Sequence, residues 1–208
     1  EKIVSTSIEF VDIAGLVSGA HKGEGLGNQF LSHIREVDAI MEVVRVFENK
    51  DIIHVNGSVD PKRDMETIGI ELQLADLQNV EKRLENALVK KEVWEKYKVA
   101  LVAVNMANTV VLTEEEKKFS KDVLLLTTKP FLFVANSEYD LDSHSFKGTP
   151  LNETAIRIDA KIESELAELE DTERDEYLKD LGITESGLDK IIREAYKTLG
   201  LITFITAG

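Results

Sequence analysis

The spacing of hydrophobic residues changes several times along this chain, and each change predicts a switch between strand and helix. Short runs rich in apolar and β-branched residues predict strands at 7–11, 39–47, 131–135 and 154–158. The runs at 39–47 and 131–135 are largely apolar, which is typical of central parallel strands covered on both faces. Elsewhere apolar residues recur every three or four positions, as in Phe30, Leu31, Ile34 and Val37. Strands that alternate with helices in this way predict an α/β fold with a parallel sheet.

Capping residues mark where several helices begin and end. Asp60 is a suitable N-cap before Pro61, and helical spacing continues over 65–84, after which 94–101 predicts a second helix that folds back on the first. Two interpretations of this helical pair remain open: a hairpin that packs on itself, or an arm that binds a partner. Further capping signals are the box Thr113-Glu-Glu-Glu116, Ser186 before a last helix and Gly200 after it.

A glycine-rich stretch follows the first predicted strand and carries the strongest chemical signal. Asp12 stands at the carboxyl end of that strand and Gly15 follows three residues later. In phosphate-handling enzymes an aspartate so placed reaches Mg²⁺ through water, and the glycine N–H approaches a terminal phosphate. The same spacing also occurs in ordinary turns, where aspartate caps and glycine supplies a positive φ. The glycines at 23, 25 and 27 do not form the G-x-G-x-x-G dinucleotide fingerprint in either register.

Composition narrows the class of function. The 208 residues carry a net charge of −14 and no cysteine, which excludes disulfides and thiolate zinc sites. A chain this acidic is a poor nucleic-acid binder, since such binding requires clustered lysine and arginine, so we predict no direct nucleic-acid contact. The sequence contains no apolar run of membrane-spanning length, and we expect no membrane partner and a cytoplasmic location. It also contains no G-x-x-x-x-G-K-[ST] segment.

Four runs, in order along the chain, resemble the Obg-like ATPase (YchF) family of P-loop nucleotide hydrolases: residues 10–35, 47–61, 158–169 and 199–208. The resemblance implies a P-loop NTPase-type parallel sheet with helices on both faces and an inserted helical hairpin arm. It assigns 1–72 and 107–208 to the nucleotide-hydrolase domain and 73–106 to the arm. It also leads us to expect a fragment that lacks the P-loop and the C-terminal TGS domain of the family.

The resemblance implies a catalytic set. Asp12 would support the metal through water and Gly15 would sense the γ-phosphate. Leu16 occupies the position where Ras-type enzymes carry the glutamine that orients the attacking water. In the family a histidine on a nearby loop is suspected of orienting the attacking water instead. The matching residue is His54, whose imidazole can orient or deprotonate water near neutral pH. The alternative is a surface histidine without a catalytic role.

The resemblance also implies a base-reading set. Asn136, Ser137 and Glu138 follow a buried strand, where the amide would meet the purine edge and the carboxylate would accept from the base. The acid stands one position earlier than in the family, which puts nucleotide preference in doubt, and Asn136 taken alone is compatible with a simple turn. Ala160 and Lys161, after the last strand, match a loop whose backbone N–H groups face the base.

These features together predict a Mg²⁺-dependent hydrolase of ATP, with GTP as the second choice of substrate, that is linked to the ribosome by resemblance only. We expect the fragment alone to be inactive. Two alternatives stay open: a non-catalytic acidic scaffold that presents its helical arm, and an Obg-type GTPase.

Overall fold

A computed structural model describes residues 7–13, 26–54, 57–86, 90–120, 124–138 and 155–202. The chain divides into two compact units: Glu1–Phe10, Met41–Asp64 and Phe131–Gly208 form one, and Val11–Ile40 and Met65–Pro130 form the other. The strands are β1 (Ile40–Arg45), β2 (Phe131–Asn136) and β3 (Ile156–Ile158). The α-helices in the described residues are α1 (Leu26–Glu36), α2 (Pro61–Asn86), α3 (Lys91–Val102), α4 (Glu114–Ser120), α5 (Ala160–Ala167), α6 (Asp171–Asp180) and α7 (Gly187–Thr198).

The three strands form a parallel sheet in the order β1-β2-β3. β2 and β3 pair in parallel, with Asn136 opposite Ile158. The N–H of Val46 donates to the Asn136 carbonyl at 3.0 Å, and that of Ile40 donates to Pro130 at 3.0 Å. Between these two hydrogen bonds the residue number rises by the same amount in each strand, so β1 runs in the same direction as β2. The α/β class and the parallel sheet predicted from the sequence are confirmed.

The core of the first unit lies between the sheet and α7. Its buried residues are Leu132, Val134, Ile156, Ile191 and Ala195, with Ile8 and Ile158 packed against them. Helix α7 begins at Ser186, whose hydroxyl accepts from the Asp189 N–H at 3.0 Å, and it ends before Gly200, which has a φ of 65°. Both capping predictions are therefore confirmed.

Two strand predictions were wrong in part. Residues 7–13 have no strand, although Ile8 packs on the core, because an extended segment becomes a strand only when it pairs with a neighbour. β1 is not buried on both faces. Its residues alternate, so that Glu42 and Val44 are buried whereas Met41 is 36% and Val43 is 54% exposed. The faces of a parallel sheet are covered by the helices packed on them, and in the described residues the face of β1 that carries Met41 and Val43 is left partly exposed.

The second unit is built around the helical pair α2 and α3. Val80 of α2 packs with Trp94, Tyr97 and Leu101 of α3, and the ring of Phe119 meets Trp94 edge-on at 5.9 Å between centroids. The pair thus packs on itself through the apolar positions that the sequence predicted.

Helix α4 starts with the predicted capping box. The Thr113 N–H donates to Glu116 Oε2 at 2.8 Å, and the Glu116 N–H donates to Thr113 Oγ1 at 3.3 Å. Helix α2 likewise starts at Pro61, and the Asp60 carboxylate accepts from the Arg63 N–H at 3.0 Å. Among the helices described here, none combines the length and apolarity that crossing a membrane requires.

Candidate functional site

The carboxyl ends of β2 and β3 hold the predicted base-reading residues. Asn136 is the last residue of β2, and its Oδ1 accepts from the backbone N–H of Ala160 at 3.1 Å. One residue on, the N–H of Ser137 donates to the Ile158 carbonyl at 2.9 Å. Parallel strands place their carboxyl ends at one edge of a sheet, which is where doubly wound folds bind ligands. The structure therefore brings Asn136 together with the loop of residues 158–160.

The loop after β3 is fixed by Asp159. Its carboxylate Oδ1 accepts from the N–H groups of Lys161 at 3.0 Å and Ile162 at 3.2 Å, which makes it the N-cap of α5. The capping role was missed in the sequence, although an aspartate just before an amphipathic run is its usual signal. Ala160 and Lys161 are exposed.

Ser137 and Glu138 differ in their access to solvent. Ser137 is buried, whereas Glu138 is exposed and its carboxylate stands in solvent at the end of the strand. Glu138 can therefore offer an acidic acceptor to a ligand at this edge without a rearrangement of the chain.

His54 is held by an acidic partner that the sequence did not reveal. Its Nε2 lies 3.0 Å from Oδ2 of Asp64, in the first turn of α2. The imidazole is only 16% exposed, although the neighbouring Ile53 is 93% exposed. Residues ten apart in the chain show no periodic relation here, so no sequence signal indicates this pair.

Arg45, the last residue of β1, fixes the start of the segment that carries His54. Its guanidinium donates to the carbonyls of Phe47 at 3.0 Å, Asn49 at 3.1 Å and Ile52 at 3.0 Å. It also lies over the Phe47 ring, 4.7 Å from the centroid. The rigid fork of arginine suits it to several acceptors at once.

A second carboxyl group lies near Asp64 on the buried face of β1. Glu42 is 7% exposed, and its Oε1 has no hydrogen-bond partner among the described residues. Burial, and then the negative charge of Asp64, raise the pKa of Glu42 to about 8. Glu42 therefore carries a proton at neutral pH. The sequence prediction missed it because a glutamate within an apolar run was taken as part of an ordinary strand.

The predicted metal-supporting residue belongs to the other unit. Asp12 is exposed and lies in no helix or strand, and Gly15 is outside the described residues. A single exposed carboxylate suits Mg²⁺, which prefers oxygen ligands and keeps several waters. No cluster of three or more His, Asp or Glu side chains with a metal-binding arrangement occurs within the described ranges.

Comparisons with known proteins show which proteins this chain resembles. A family model described as 50S ribosome-binding GTPase matches residues 1–78. The ribosome-binding ATPase YchF of Bacillus subtilis is 47% identical over 229 residues, which cover the whole chain and 63% of that relative. The protein of the same name from Haemophilus influenzae is 44% identical over 230 residues, covering the whole chain and 62% of the relative.

A solved structure extends the likeness to three dimensions. The YchF GTPase of Schizosaccharomyces pombe superposes with a TM-score of 0.70 at 32% identity, over 94% of this chain and 59% of the other. The chain thus spans somewhat less than two thirds of the length of the relatives it matches. The parallel sheet, its covering helices and this superposition define the fold of a P-loop nucleotide hydrolase. Within that class the chain is homologous to the YchF proteins over its whole length, as its four sequence runs predicted.

Proposed function

We propose that this protein is a Mg²⁺-dependent nucleotide hydrolase that cleaves the β–γ bond of ATP in preference to GTP and acts in the cytoplasm in association with the ribosome. The observation that carries the proposal is the contact between Asn136 Oδ1 and the Ala160 N–H at the carboxyl edge of the sheet. It joins the two loops that would enclose a purine. The printed names of the bacterial relatives, ribosome-binding ATPase, support the choice of nucleotide and partner.

The base-reading side of this proposal uses three groups. With its oxygen engaged by Ala160, the Asn136 amide presents its NH₂ group as a donor to the ring nitrogens of a purine. Exposed Glu138 would accept from an exocyclic amine. On this edge adenine presents an exocyclic amine, whereas guanine presents both a ring N–H and an exocyclic amine. The placement of the Glu138 carboxylate therefore sets the preference between ATP and GTP. The capped loop at Ala160 and Lys161 would complete the cradle.

The reacting side uses Asp12, Gly15 and His54. Mg²⁺, when bound, would neutralise charge on the phosphates. Asp12 would hold a water of that ion, and the Gly15 N–H would donate to the terminal phosphate. Since Leu16 has no polar atom in its side chain, it cannot orient water, and His54 would take this task as the acceptor for the attacking water.

Equilibrium binding to the full-length protein tests the function. Fluorescent, non-hydrolysable ATP and GTP analogues are titrated with and without Mg²⁺. We expect Mg²⁺-dependent binding with ATP preferred, and a loss of about 30- to 100-fold in Asn136→Ala, because a buried or ligand-facing polar contact is removed. Asn86→Ala is the matched control, since Asn86 is exposed and its side chain donates to the Lys82 carbonyl of its own helix.

Two results would contradict the proposal. A tenfold or greater preference for GTP would replace ATP by GTP and favour an Obg-type enzyme. The absence of any Mg²⁺-dependent binding, together with co-sedimentation with ribosomes, would favour the acidic scaffold instead. Under the proposal, His54→Ala lowers the turnover number in a steady-state hydrolysis assay while KM stays within about twofold, because the imidazole acts on water and not on the nucleotide.

A further inference from the structure

The conformation of His54 is decided by residues outside its own loop. The preceding Ile53 is almost fully exposed, yet the imidazole turns inward and is 16% exposed. One of its contacts is the carboxylate of Asp64, at 3.0 Å from Nε2. A carboxylate at this distance from a ring nitrogen restricts the orientation of the imidazole.

Asp64 is itself held from two sides. The Asp64 N–H donates to the Asp60 carbonyl at 3.0 Å, which fixes its backbone in the first turn of α2. The Arg63 guanidinium lies 3.4 Å from Oδ1 of Asp64, and it also donates to the Ser58 carbonyl. Arg63 thus engages one carboxylate oxygen while His54 meets the other. The carboxylate has a defined direction before any ligand binds.

The contact decides which ring nitrogen carries a proton. A carboxylate only accepts hydrogen bonds, so the nitrogen that faces it must be N–H. Neutral His54 therefore holds its proton on Nε2, and its lone pair is on Nδ1. We propose, on the basis of the function proposed above, that Asp64 is the positioning residue that fixes this tautomer, so that His54 accepts from the attacking water through Nδ1.

Glu42 lies near Asp64, on the buried face of β1. Burial raises the pKa of Glu42 to about 8, so Glu42 carries a proton at neutral pH and adds no second negative charge beside the Asp64 carboxylate.

Histidine NMR on the full-length protein tests the inference without nucleotide. In protein labelled with ¹⁵N-histidine, His54→Gln assigns the His54 signals among the four histidines. We expect neutral His54 to show a single Nε2–H pattern in the wild type and exchange between both tautomers in Asp64→Ala and Asp64→Asn. Asp51→Asn is the matched control, because Asp51 is an exposed carboxylate three residues before His54.

Steady-state hydrolysis gives the second readout. We expect both Asp64 variants to lose about ten- to a hundredfold in kcat with KM within about twofold, and Asp51→Asn to match the wild type. A wild-type Nδ1–H pattern, an unchanged tautomer in both Asp64 variants, or an unchanged kcat despite a released tautomer each overturns the inference. Failure of the proposed function looks different: the wild type then shows the fixed tautomer but no Mg²⁺-dependent turnover, and the catalytic role of His54 falls with it.

Discussion

Replacing Glu42 by glutamine should stabilise the protein at neutral and alkaline pH. Glu42 is buried at 7% exposure on β1, and its pKa is raised from 4.5 to about 8. In the unfolded chain the same carboxyl group ionises near its ordinary value. Between these two values the folded state holds a proton that the unfolded state has lost. Raising the pH therefore favours unfolding throughout this interval.

The magnitude follows from the size of the shift. The contribution of Glu42 to stability is complete below about pH 4.5, declines as the pH rises and levels off above about pH 8. At about 1.4 kcal/mol per pH unit, the loss across the interval is roughly 4–5 kcal/mol. Glutamine keeps the shape and one acceptor oxygen but never ionises. The Glu42→Gln variant should therefore lack this pH dependence.

Urea unfolding of the full-length protein at pH 5, 6, 7 and 8, followed by circular dichroism, measures the difference. We expect the free energy of unfolding of the variant relative to that of the wild type to increase by about 1 kcal/mol for each pH unit. Glu48→Gln serves as control because Glu48 is exposed in the same segment. Amide hydrogen exchange in β1 and β2 should follow the same trend. Parallel pH profiles for wild type and Glu42→Gln would refute the reasoning.

Two further predictions concern close packing and a buried carboxylate. In Gly187→Ala the new Cβ would lie 2.6 Å from Ile158 Cγ2 and 2.7 Å from Glu163 Oε1, so we expect a loss of about 1–3 kcal/mol in urea unfolding. In Asp76→Ala the N–H groups of Leu126 and Thr127, now 2.7 and 2.8 Å from the carboxylate, lose their acceptor inside the core. We expect a loss of about 3–5 kcal/mol, measured by the fluorescence of the single tryptophan, which lies in the same unit.

Each of these predictions has an internal comparison. Gly200→Ala has open space around the new Cβ and only the strain of its φ of 65°, so it should lose about 1 kcal/mol. A larger loss at Gly200 than at Gly187 would contradict the steric argument. Asp76→Asn keeps one acceptor oxygen and should cost less than Asp76→Ala. Equal losses in the two Asp76 variants would show that the hydrogen bonds from the backbone N–H groups do not account for the stabilisation by the carboxylate.

The sequence predicted best the features that depend on residues a few positions apart. Asp60 caps the N–H of Arg63, and Thr113 and Glu116 cap each other, because the partners lie within one helical turn. Helical spacing likewise predicted the packing of Trp94 and its neighbours. The resemblance to the YchF family was predicted from four runs of the sequence, and the matches along the whole chain confirm it.

Features that depend on residues far apart in the chain could not be predicted from the sequence. The exposed face of β1 depends on what packs on that face of the sheet, and a run of apolar residues does not reveal it. The link from His54 to Asp64 joins a loop to a helix, and the burial of Glu42 depends on what covers β1. All of the predicted site roles, and the domain boundaries at 72 and 107, stay predictions; the residues are Asp12, Gly15, His54, Asn136, Ser137, Glu138, Ala160 and Lys161.

The hydrogen bond from Arg45 to the carbonyl of Ile52 limits how far the segment that carries His54 can move. From that anchor to His54 the chain has two residues, which span at most about 7 Å when fully extended. If nucleotide binding draws the imidazole away from Asp64, the ring can swing on this short tether but cannot travel across the molecule. A lysine in place of Arg45 would bind one carbonyl at a time and would leave more of the segment free to move. The range of positions open to the imidazole therefore depends on the Arg45 guanidinium.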